Sequence, residues 1–109
     1  MKEIKTVEDW EQVKDESKNK RIFIFKHSNS CHTSTQVCSE IEQAVEDGVL
    51  GDPVYKIVVQ ESEEVSKKIA SDTGVEHESP QIISLENGKS TYSASHGFID
   101  PVVFSLNFE

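Results

Sequence analysis

Apolar residues along this 109-residue chain recur at two different spacings, and the switches between them mark out its elements. In TVEDWEQVKDESKN, Val7, Trp10 and Val13 follow helical spacing, and Thr6 with Asp9 three residues on forms a capping-box pattern. The next run, RIFIF, is short, β-branched and aromatic, and predicts a buried strand. Val37, Cys38, Ile41, Ala44 and Val45 then return to helical spacing, and Gly48 ends that run. PVYKIVV reads as a second strand. ESEEVSKKIASDTG places Ser62 to cap a helix, lines Val65, Ile69 and Ala70 along one face, and stops at Gly74. PQIISLENGKSTYSAS predicts two strands about Asn87-Gly88, a dipeptide that accepts the positive φ angles of a tight hairpin. In DPVVFSLNF, Asp100 is placed to cap a closing helix and Pro101 to open it.

The order is helix, strand, helix, strand, helix, hairpin, helix. Two strands joined through a helix pair in parallel by a right-handed crossover, and a hairpin adds antiparallel strands to the same sheet. The expectation is an α/β chain, one domain over residues 1–109, with a four-stranded mixed sheet and helices on both faces. That is a thioredoxin-like layout. No repeat, low-complexity tract or linker interrupts it. The apolar share of 35% is a little below the globular norm, but it falls in compact periodic runs, so the pattern is not that of a disordered chain.

Charge then narrows the partners. Eleven Lys and Arg against 20 Asp and Glu give a net charge of −9, which argues against nucleic acid or an anionic membrane as partner. An acidic, soluble surface is the plain reading. No basic-then-apolar leader opens the chain, and no apolar run approaches the ~20 residues of a membrane span. Two cysteines are too few for a disulfide scaffold, and without an export signal they are expected as reduced thiols in a cytoplasm.

Candidate chemistry gathers in HSNSCHTS, residues 27–34. Cys31 falls where the first strand hands over to the second helix, and there free N–H groups and the positive end of the helix dipole favour a thiolate. His32 adds charge when protonated, and Thr33 and Ser34 carry hydroxyls able to donate to sulfur. A loop cysteine without chemistry is the bland alternative. Cys38 lies seven residues further, about two turns or ~10 Å along an unbroken helix, whereas bridged cysteines keep their Cα atoms within roughly 7 Å. It also sits in the apolar stripe between Val37 and Ile41, so a packed core cysteine is expected in preference to a resolving thiol. In VEHESPQII, Pro80 follows a polar loop and precedes an apolar strand, which suits a cis Ser79–Pro80 bond in a tight turn; an ordinary strand-entry proline is the alternative. In a thioredoxin-like fold this loop faces the cysteine, with the Ser79 backbone free to pair with an extended peptide or thiol. His32 and His77 fall on the same edge, with His27 and His96 near it. No pair among the histidines and cysteines has finger-like spacing, so no metal is expected.

The stretches FKHSNSCHTS, VEHESPQIISLENGK and YSASHGFI, in that order, resemble the YtxJ-type monothiol bacilliredoxins of bacillithiol-producing Firmicutes. With the intervening pattern the resemblance spans nearly the whole chain. It implies a cytoplasmic, thioredoxin-like enzyme that takes bacillithiol off protein mixed disulfides. By that resemblance Cys31 is the nucleophile, Ser34 stands where a resolving cysteine would be, and Ser79-Pro80 is the cis-proline wall of the substrate site, with His77 beside it. The family motif is closer to T-C-P-I-S, and here it reads Ser30-Cys31-His32-Thr33-Ser34. Thioredoxins carry a buried aspartate six residues before the first cysteine; Phe25 holds that position here. The implied partners are S-bacillithiolated proteins, and free bacillithiol or a bacillithiol disulfide reductase that regenerates the thiol.

Two other readings stay open at this point. One is a general dithiol oxidoreductase working through Cys31 and Cys38, and the other a redox-inert thioredoxin-like adaptor that holds partners along the cis-proline edge. Cluster carriage of the monothiol glutaredoxin kind goes with a C-G-F-S motif, and His32 and Thr33 would crowd a cluster.

Overall fold

The computed structural model describes residues 1–106. Five strands form one sheet: β1 (Lys2–Glu3), β2 (Ile22–His27), β3 (Val54–Val58), β4 (Gln81–Glu86) and β5 (Lys89–Ser95), in the spatial order β1-β3-β2-β4-β5. Four helices surround it: α1 (Val7–Glu16), α2 (His32–Glu46), α3 (Glu63–Thr73) and α4 (Pro101–Ser105). The sheet thus has one strand more than the periodicity predicts. Two residues are too short to carry a period, and β1 exists because Lys2 and Glu3 pair in parallel with Tyr55 and Lys56 of β3.

β2 is the central strand and all six of its residues are buried. Alternate side chains enter two separate cores, as a strand covered on both faces requires. Phe23 and Phe25 join Val37, Cys38, Ile41 and Phe104 beneath α2 and α4. Ile22 and Ile24 join Trp10, Val13, Val65 and Ile69 beneath α1 and α3. β3 runs parallel to β2 and β4 antiparallel to it, with His27 opposite Val58 and Lys26 opposite Gln81. The carboxyl ends of β2 and β3 therefore share one edge of the sheet with the start of β4. The chain that leaves β2, the chain that leaves β3 and the loop that enters β4 all meet there.

The capping-box reading holds in detail: Thr6 accepts from the Asp9 N–H, and the Asp9 carboxylate accepts from the Thr6 N–H. Asn87 and Gly88 both take positive φ, 53° and 74°, in the hairpin. Asp100 caps α4 through the Val102 N–H, with Pro101 as first helical residue. Ser62 occupies the N-cap position of α3 but does not cap it; its hydroxyl turns to the Lys5 carbonyl at 3.5 Å. Val45, placed by periodicity on the apolar stripe of α2, is 39% exposed because that stripe is narrower than the spacing suggests. The predicted closing helix ends at Ser105, and Asn107 and Phe108 lie outside the described residues.

Candidate active site

Cys31 is the N-cap residue of α2, in extended conformation, and is neither buried nor fully exposed. An N-cap side chain ordinarily lends an oxygen to the first-turn N–H groups. Here no side chain caps α2, no acidic residue stands in its first turn, and the atom in the capping position is sulfur. Unpaired N–H donors and the helix dipole both favour negative charge at that point. The Cys31 carbonyl closes the first turn, accepting from the Thr35 N–H at 3.1 Å and the Thr35 hydroxyl at 3.3 Å.

The loop before Cys31 is pinned by a residue with no motif signal. Gln60, just past β3, donates from Nε2 to Ser28 Oγ at 2.6 Å and to Ser30 Oγ at 3.1 Å, and its Oε1 accepts from the Asn29 N–H at 3.1 Å. Only the parallel β2–β3 pairing brings residue 60 to residues 28–30.

Ser34 is wholly buried. Its hydroxyl accepts from the Ser28 N–H at 2.9 Å and lies 2.9 Å from His27 Nδ1. The Ser34 hydroxyl is thus engaged by both the Ser28 backbone and the His27 ring. Burial, followed by the charge of Lys56, keeps the His27 pKa below its usual value. Ser34 is therefore tied inside the fold by His27 and Ser28. His32 and Thr33, by contrast, are exposed beside Cys31 in the first turn.

Across the edge, the Ser79–Pro80 peptide is cis, Pro80 is buried, and the Pro80 carbonyl accepts from the His96 N–H at 2.9 Å. His96 takes a positive φ of 54° there and places Nε2 3.9 Å from Glu78. His77 turns the other way, toward α3: Nδ1 lies 3.3 Å from Lys26 Nζ and 3.3 Å from Ser66 Oγ. The RIFIF reading ends the strand one residue too early to see Lys26, which continues β2 with its side chain buried on the α1/α3 face.

Cys38 lies within α2, 8% exposed, with its thiol 3.6 Å from Glu42 Oε1. Burial first, then the Glu42 charge, push its pKa above the ordinary 9.0. Both thiols are free. The face of β2 that carries Phe25 puts Lys56 opposite it in the register, with no carboxylate at that point.

A mixed five-stranded sheet with helices on both faces, a cysteine at the N-terminus of the helix after the central strand, and a cis-proline loop across from it define a thioredoxin fold. Solved structures agree. A candidate oxidoreductase with a thioredoxin fold matches at a TM-score of 0.84 and 29% identity, covering 95% of this chain and 89% of that one. Thioredoxins of Malassezia sympodialis (TM-score 0.74, 18% identity, 95% and 84% covered) and Fasciola hepatica (0.70, 21%, 88% and 86%) share the fold. The family model Monothiol bacilliredoxin BrxC matches residues 2–102, so the chain belongs to the monothiol bacilliredoxin family. It is a thioredoxin-fold thiol oxidoreductase. No helix among the described residues is long and apolar enough to cross a membrane.

Proposed function

We propose that this protein removes bacillithiol from protein mixed disulfides through the single sulfur of Cys31, in the cytoplasm of a bacillithiol-producing cell. The observation that carries this reading is the pairing of an uncapped helix terminus at Cys31 with a serine, not a thiol, three residues on. In the first step the Cys31 thiolate attacks the bacillithiol-side sulfur of the mixed disulfide. The old S–S bond breaks, the target protein leaves as a thiolate and takes a proton from water, and bacillithiol is now bonded to Cys31. In the second, the thiolate of another bacillithiol attacks that sulfur, forms bacillithiol disulfide and frees Cys31; a disulfide reductase of the same system then restores the cofactor. Each step exchanges one disulfide for another, so electrons balance without a metal. The Ser79–Pro80 loop forms the wall against which the target segment lies, with His32 and Thr33 at its exposed rim. A dithiol cycle finds little support, since Cys38 is buried and held by Glu42 two turns away. Intact-mass analysis after exposure to bacillithiol disulfide tests the reading. One bacillithiol-sized adduct on Cys31 is expected; loss of two hydrogens would establish the dithiol cycle instead, and no change at all would leave a redox-inert adaptor.

A further inference from the structure

The mechanism above makes no use of Lys26, and Lys26 is the most costly side chain in the molecule. It is fully buried on the α3 face of β2. Its ammonium donates to the Ser66 carbonyl at 3.2 Å and to His77 Nδ1 at 3.3 Å, both neutral acceptors. Among the described residues it has no carboxylate partner. Burying an ammonium without a counter-charge is strongly unfavourable, and burial alone pushes the Lys26 pKa down to about 8. In a protein with 20 acidic residues, an unpaired buried cation is out of keeping with its surroundings.

On the far side of the residues that hold this group is an open cleft of ≈ 430 Å³, lined by Val59, Gln60, Glu63, Ser66, Lys67 and His77. The two residues that hold the Lys26 ammonium, Ser66 and His77, form one wall. Lys67 is exposed on the same cleft and makes no ion pair among the described residues. At the other end stands Gln60, whose Nε2 reaches Ser30, the residue before Cys31. Gln60 thus joins the lining of the cleft to the loop that carries Cys31. Across the β2–β4 pair from Lys26, Gln81 leaves its buried Oε1 without a hydrogen-bond partner among the described residues.

We propose that this cleft is the carboxylate subsite for the low-molecular-weight thiol carried on Cys31, with Lys67 and His77 holding the anion and the buried Lys26 ammonium behind His77 and Ser66 supplying positive charge to it. Bacillithiol fits by chemistry, because its malyl group bears carboxylates remote from its sulfur. The inference rests on Cys31 being the carrier of that thiol, but the subsite is testable without the sulfur. A carboxylate bound against His77 brings a counter-charge close to the Lys26 ammonium that His77 Nδ1 contacts. Glu63, the first residue of α3 and one turn from Lys67, is the single acidic group on the cleft, and it keeps anions without further contacts away.

Two measurements test this. The first is the rate at which Cys31 is thiolated by bacillithiol disulfide, divided by its rate with the uncharged bis(2-hydroxyethyl) disulfide. Lys26→Met, which keeps the side chain's volume, removes the cation behind His77 and Ser66 and should lower that ratio about tenfold. Lys67→Ala, at an exposed position where folding is not at risk, should lower it about threefold. The second is a titration of the Cys31→Ser protein with L-malate, followed by NMR. Saturable shifts at Ser66, Lys67 and His77 are expected, and they should vanish in the Lys26→Met background. An unchanged ratio in both variants, or malate shifts that do not saturate at these residues, overturns the subsite and leaves Cys31 chemistry standing. If Cys31 reacts with neither disulfide, the redox reading falls and the malate titration alone decides the subsite.

Discussion

Cys31 and Cys38 lie seven residues apart on the same helix, and they teach opposite lessons about what a cysteine is for. Cys31 holds the N-cap position of α2, where no side chain hydrogen-bonds the first-turn N–H groups and no acidic side chain intervenes. Cys38 has its own turn's N–H groups tied up in the helix, is packed among Phe25, Val37 and Ile41, and faces the Glu42 carboxylate. The same thiol is therefore placed against a partial positive charge in one case and a full negative one in the other. Helix position, more than residue identity, sets the chemistry.

The largest expected effect breaks the pair apart. Cys31→Ser should abolish removal of bacillithiol from a modified protein, while Cys38→Ser should leave the rate of the first exchange within about twofold of the parent, because Cys38 is buried in the core beneath α2. A single-turnover assay on a bacillithiolated substrate checks both. If Cys38→Ser trapped bacillithiol on Cys31 where the parent released it, Cys38 would be a resolving thiol and the one-sulfur reading would be wrong.

Moving the second sulfur sharpens the contrast. Ser34→Cys should convert the site to a dithiol one, since position 34 lies in the first turn beside Cys31 and Cys38 does not. Under bacillithiol disulfide this variant should lose two hydrogens in intact mass and retain no adduct. The thiol cannot match both hydrogen bonds of the Ser34 hydroxyl, to His27 and the Ser28 N–H, so thermal stability should fall by about 1–2 kcal/mol.

A third effect is on stability alone. Cys38→Ser buries a hydroxyl in place of sulfur, but Glu42 Oε1 is at hand to accept its proton. The expected loss is then about 1 kcal/mol, at the low end of the cost of an unpaired polar group, and denaturant unfolding measures it.

The smallest effect is a pH dependence. The folded-state pKa of Cys38 lies above its ordinary 9.0, so at higher pH the unfolded chain gives up this proton before the folded protein does. The native state then binds more protons than the unfolded one, and the contribution of Cys38 to stability falls as pH rises past about 9. Cys38→Ala should flatten the stability profile there. Glu42→Gln should bring the Cys38 alkylation inflection partway down, and no further than burial allows, because burial is the larger cause.

What the linear order of residues determined by itself is local. The helix stripe of Val37, Cys38 and Ile41, the capping box at Thr6, the Asn87-Gly88 turn and the position of Cys31 between a strand and a helix all depend on neighbours within a few residues. Backbone propensity, capping and periodicity act over that range. The alternating burial of Phe23 and Phe25 against Ile22 and Ile24 likewise follows from strand geometry once β2 is known to be central. Tertiary structure decided the rest. Gln60 reaches Ser28 and Ser30 only because β3 lies parallel to β2, and β1 exists only because β3 offers it an edge. Ser34 looked free to serve the sulfur, and it turned instead to His27 once the strand before the loop fixed that ring inside. The strand read as RIFIF stops at Phe25; the pairing of Lys26 with Gln81 carries β2 past it and shuts the Lys26 ammonium under α3. Pairing and burial join residues 32 to 51 positions apart, as in Lys26 with Ser66 and His77 or Ser28 with Gln60, and no local pattern encodes which of them will meet.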